Sequence, residues 1–182
     1  KAGVCGKSAA TANAQDDLTR ALINLALETD GQPLNDEMRK VMLEGLFATV
    51  TNVNFDEQRV SELTEKVIAL IPNQKGGACA PSGQPLWSAP EDIRSLKSLI
   101  LFGLRGMAAY AYHALNLGYR DDVISDCCFE GLRTIGNHQA GMEQLLPMVL
   151  KVGEVNLRCM ELLDQANTET YGTPEPVTLP LK

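Results

Sequence analysis

Between Ala10 and Ile71 the apolar residues recur three and four positions apart, the spacing of amphipathic helices. Leu18, Ala21, Leu22, Leu25 and Ala26 form a first stripe, which Asp30, Gly31 and Pro33 break. Met38, Val41, Met42, Gly45, Leu46 and Thr49 form a second. Asn54 offers a helix cap with Glu57 three residues on, and Val60, Leu63, Val67 and Leu70 carry a third helix. The stretch 72–90, "PNQKGGACAPSGQPLWSAP", then loses all periodicity and predicts a linker or long loop, with Trp87 pinning its far end onto a bundle. Ser88 with Glu91 makes a capping-box pattern, and Pro90 suits the first turn of the helix that follows.

The pattern resumes over Glu91–Leu117 with Ile93, Leu96, Ile100, Leu104 and Met107, where Gly103 and Gly106 predict close approach of a neighbouring helix. After the turn "LGYRDD", a fifth stripe runs Ile124, Cys127, Cys128, Gly131, Leu132 and Ile135. Met142–Asn167 is helical again, with Pro147 expected to kink or restart it. Shifted by 86 residues, the second stripe falls on the fifth: Met38/Ile124, Val41/Cys127, Met42/Cys128, Glu44/Glu130, Gly45/Gly131, Leu46/Leu132 and Thr49/Ile135. "LEGL" and "FEGL" make the match visible. The expected fold is therefore all-α, two tandem pseudo-repeated antiparallel three-helix bundles over 10–71 and 91–168, with 169–182 crossing into a further domain.

Composition agrees with helices. Hydrophobic residues make up 45% and aromatics only 5%, a balance that does not suit a β-sandwich or barrel. The net charge of −7, with no basic run, argues against nucleic-acid binding. No apolar stretch has the length of a membrane span, and no signal-peptide pattern precedes the first helix, so the expected location is soluble and cytoplasmic.

Five cysteines (Cys5, Cys79, Cys127, Cys128, Cys159) are odd in number and irregular in spacing, a poor disulfide framework. No CxxC occurs among them. Cys127 and Cys128 are adjacent on a helix and point about 100° apart, and the repeat aligns them with Val41 and Met42. Both are expected to pack in the core, as is Cys159 beside Met160. Cys79 lies in the linker without a partner in view. His113, near the end of the fourth helix, is expected to interact with the helix dipole, and His138 to be solvated in a turn. Cys5 differs from all of these: "VCGK" sets a thiol in a turn just ahead of a helix, where backbone N–H groups can stabilise a thiolate or a cluster sulfur.

Four ordered stretches resemble the N-terminal helical domain of the hybrid-cluster proteins, also called hydroxylamine reductases or prismane proteins. "VCGKSAATANAQDDL" resembles that family's cysteine–helix junction, and "GLFATVTNVNFD" the segment joining its second and third helices. "RSLKSLILFGLRGMAAYAYHALNLGY" is similar to its fourth helix, and "GEVNLRCMELLDQANTETYGTPEPV" to the close of the domain. The chain lacks the glutamate that often follows CGK, and its linker is short. Carbon monoxide dehydrogenases share the architecture, but "TNVNFD" and "ANTETYG" resemble the hybrid-cluster side.

The resemblance implies an iron–sulfur oxidoreductase that reduces hydroxylamine to ammonia, nitric oxide, or both. Cys5 would be the fourth cysteine ligand of an N-terminal cluster, [4Fe–4S] or [2Fe–2S], with the other three ahead of Lys1. A hybrid Fe–S–O cluster would take its ligands from later α/β domains, the expected partners of this segment together with an electron-delivering redox protein. No catalytic residue is then expected within these 182 residues. The rival reading is a non-enzymatic helical interaction module that kept the fold and lost the clusters.

Overall fold

Every apolar stripe folds as a helix, because burying one face of each against its neighbours removes that face from water. The computed structural model describes residues 5–72 and 89–177. Six helices follow in order: α1 (Ala9–Glu28), α2 (Asp36–Ala48), α3 (Glu57–Ala69), α4 (Glu91–Asn116), α5 (Asp122–Gly136) and α6 (Met142–Tyr171). Among the described residues there is no strand, so the fold is all-α. Trp87, Ser88, Cys79 and nearly all of the 72–90 linker lie outside the described residues.

Helix directions follow from the side-chain contacts. In the first half Gln15 reaches the carbonyl of Ala48 while Leu22 abuts Gly45, so α1 and α2 run antiparallel. In the second half Lys97 reaches the carbonyl of Asn137 while Leu104 abuts Gly131, so α4 and α5 do the same. The third helix of each half packs on both of its predecessors. Across the halves α1 meets α5, α2 meets α4, and α2 meets α5. Exchanging the halves leaves this set of contacts unchanged, the relation expected of a pseudo-twofold axis passing between α2 and α5. A single core joins the halves, with Leu18, Leu22, Leu25, Met42, Leu46, Ile100, Leu104, Met107, Phe129 and Leu132 at its centre.

The two EGL glycines mark equivalent contacts. A Cβ at Gly45 would stand 2.9 Å from Leu22 Cδ2, and one at Gly131 would stand 2.7 Å from Leu104 Cδ1. Gly103 also meets the expectation, with Val152 Cγ1 of α6 at 2.8 Å from its notional Cβ. Gly106 does not: open space surrounds it, because it lies on the outward side of α4.

Other local expectations need correction. Asp56 caps α3, its side chain accepting from the N–H of Arg59, while Asn54 instead accepts from the N–H of Asp56. Both are good cap residues, and the turn geometry selects the one adjacent to the helix. α4 starts at Glu91 behind Pro90, which stands at the N-cap itself and not within the first turn. Pro147 does not restart α6, which runs through it. Leu145 and Met148, both buried, hold the helix on either side, and that packing offsets the missing backbone bond. α6 also extends to Tyr171, four residues beyond the expected Asn167, and ends at Gly172 with φ +81°.

Candidate functional site

The described cysteines fall into two environments. Cys127, Cys128 and Cys159 are buried within the second half. Burial pushes the Cys127 thiol up to about 11, with Glu130 adding to the rise. Burial pushes Cys128 well above the ordinary thiol range and Cys159 up to about 11. The Cys159 thiol donates to the carbonyl of Met107 at 3.4 Å. Thiols so disfavoured as thiolates are poor metal ligands and poor nucleophiles. They pack, Cys127 and Cys128 as the repeat predicts and Cys159 as expected from its place beside Met160.

Cys5 is the exposed one, a free thiol in the turn ahead of α1. Gly6 follows with φ +90°, a left-handed conformation that glycine adopts without a Cβ penalty. Ser8 then caps α1, its side chain accepting from the N–H of Thr11 at 3.0 Å. The Cys5 thiol is thus presented to solvent by a reversal of the chain in front of a helix start. Among the described residues no three His, Cys, Asp or Glu side chains converge as a metal-binding group, so Cys5 stands as a single donor.

Sequence reasoning missed what holds this turn. Gln15 is buried on α1, and its side-chain N–H groups reach the carbonyls of Ala48 at 3.0 Å and Asn54 at 3.2 Å. Its Oε1 accepts from Lys7 Nζ at 2.9 Å. Thr11 donates to the carbonyl of Phe55 at 3.3 Å. The α2–α3 turn is thereby fastened to the first turns of α1. The available signal was a glutamine three residues ahead of Leu18 and seven ahead of Leu22, a polar residue inside an apolar stripe.

The remaining candidates are structural. The His113 ring lies edge-on to Phe47, centroids 5.3 Å apart, and joins α4 to α2. His138 is exposed in the α5–α6 connection. Lys97 is buried with its ammonium on the carbonyl of Asn137, where it satisfies the end of α5, and burial lowers its pKa. No helix among the described residues is long and apolar enough to cross a membrane.

Comparison with known proteins bears on this geometry. The model of the Prismane/CO dehydrogenase family matches residues 1–182. A hydroxylamine reductase of Maridesulfovibrio salexigens is 38% identical over 98% of the chain. A hydroxylamine reductase of Syntrophobacter fumaroxidans is 39% identical over all of it, and one of Methanosarcina mazei is 35% identical over 98%. The chain spans only 38% to 40% of the length of these three relatives.

Proposed function

The chain belongs to the Prismane/CO dehydrogenase family, and on that premise we propose that it is the helical domain of an iron–sulfur oxidoreductase. The substrate of the complete enzyme is hydroxylamine, reduced to ammonia, with nitric oxide as a second small nitrogen substrate. The observation that carries the reading is the similarity to hydroxylamine reductases over essentially the whole chain. Among the described residues, the contrast between one exposed thiol and three buried, protonated ones supports Cys5 as the iron ligand.

Cys5 fits an N-terminal cluster of [4Fe–4S] or [2Fe–2S] type as one ligand of several. Its sulfur is unpaired and accessible, and its turn stands before a helix whose first N–H groups carry partial positive charge. A bound cluster would supply one-electron transfer, with electrons passing from a redox partner towards a hybrid Fe–S–O cluster in α/β domains of the same chain. The helices hold the ligand turn and cover those domains. Residues 10–71 and 91–168 act as the two halves, 72–90 joins them, and the chain crosses onward after α6, in a cytoplasmic enzyme.

Two measurements, one on the complete protein and one on this segment, test this. In the complete protein Cys5→Ala should lose the N-terminal cluster, read as iron content and low-temperature electron paramagnetic resonance. Residues 1–182 alone, reconstituted anaerobically with iron and sulfide, should not turn over hydroxylamine with a reduced viologen dye. Unchanged iron in Cys5→Ala, or turnover by the isolated segment near that of the complete enzyme, would overturn the assignment.

A further inference from the structure

Gly6 makes the turn at Cys5 permissive. A glycine at φ +90° has many accessible alternatives, so a fixed thiol position requires restraint from the flanking residues. On the α1 side that restraint is Lys7. Lys7 stands two residues beyond the cysteine, and its ammonium reaches Gln15 Oε1 at 2.9 Å. Gln15 cannot move freely in turn. It is 4% exposed, and both of its side-chain N–H groups are committed, to the carbonyl at the end of α2 and to that of Asn54. Releasing any of these bonds would strand buried polar atoms. The hydroxyl of Thr11, on the same side of α1 one turn before Gln15, ties to the neighbouring Phe55 carbonyl.

We propose that Lys7 and Gln15 are positioning residues for the Cys5 thiolate, a latch that fixes the ligand turn against the α2–α3 turn. This rests on the reading of Cys5 as a cluster ligand. Outer groups that orient a ligating side chain commonly change metal affinity ten- to a hundredfold when removed. Lys7 adds a second effect: a cation held beside the ligand turn favours the cluster state with one more electron. Gln15 carries no charge and acts by geometry alone. The two residues therefore have separable signatures.

The test uses the complete holoenzyme with Lys7→Met, Lys7→Arg, Gln15→Leu and Cys5→Ala. Readouts are the resonance line shape of the reduced N-terminal cluster, its midpoint potential by redox titration, and the rate of iron release to a chelator. Lys7→Met and Gln15→Leu should release iron about tenfold faster and broaden the signal. Lys7→Met should also move the potential to more negative values, and Lys7→Arg should restore both properties. If Gln15→Leu fails to fold, the pair Lys7→Met and Lys7→Arg decides. Release rate, line shape and potential unchanged in Lys7→Met, with the cluster lost in Cys5→Ala, would overturn the latch while leaving Cys5 as ligand. A cluster that survives in Cys5→Ala would overturn the ligand assignment and the latch together.

Discussion

The two halves solve the same packing problem and then diverge where they meet other things. Leu22 on Gly45 and Leu104 on Gly131 are the same contact made twice. Around it the chemistry differs. Arg133 reaches the end of α1 through Asp30 and the carbonyl of Ala26, whereas Phe47 meets α4 through the rings of Tyr112 and His113. Val41 and Met42 in one half stand where Cys127 and Cys128 stand in the other. α3 has 13 residues, while α6 has 30. The difference teaches that volume and close approach are what the helix contacts require. Polarity, and even sulfur, can be exchanged wherever burial is satisfied.

The most damaging way to break the symmetry is to fill its two glycines. Gly131→Val should destabilise the fold by about 2–3 kcal/mol, and Gly45→Val by a similar amount, since branched carbons would overpack the helix crossing. Gly106→Ala and Gly153→Ala are the controls. Open space surrounds both positions within their helices, so each should gain about 0.5–1 kcal/mol from helix propensity. Urea unfolding of all four variants measures the contrast, and equal losses at crossing and outward glycines would break the comparison.

A smaller effect is expected on the axis itself. Arg39 of α2 donates to Ser125 Oγ of α5 at 2.7 Å, residues 86 apart and thus equivalent under the repeat shift. It also pairs with Asp126 and Asp122, while Arg120 links Asp36 to Asp122. The Arg39 side chain is only 16% exposed. Arg39→Met should cost about 1–2 kcal/mol, and part of that difference should vanish in high salt. A loss insensitive to salt would assign the contribution to packing of the arginine stem.

The least disruptive change transplants one position of one half into the other. Cys127→Val should cost less than about 1.5 kcal/mol and leave iron content unchanged. It should also alter the response to alkali. The buried thiols hold their protons up to about 11, above where the unfolded chain releases them, so the native state binds more protons over that interval. Stability should therefore fall as pH rises from about 9 to 11, and Cys127→Val should fall less steeply. Below pH 8 the same thiols should resist alkylation by iodoacetamide while Cys5 reacts.

The sequence by itself determined the six helices, their buried faces and the repeat, because a 3.6-residue period and paired glycines are local signals that packing then respects. Leu18, Leu22, Met42, Leu46, Leu104 and Leu132 were legible in that way, and each is fully buried. Cys5 was legible as an outlier, a thiol in a glycine turn with no apolar stripe to join. Only the tertiary structure decided that Asp56 caps α3, that α6 passes through Pro147, and that Gly106 faces outward. It alone joined Lys7, Gln15, Ala48 and Asn54, because a hydrogen bond between residues 33 or 39 apart leaves no period in the chain. A polar residue within an apolar stripe signals that some buried partner exists. Which carbonyl it meets depends on how two helices and a turn come together, and that is settled by the packing of all six.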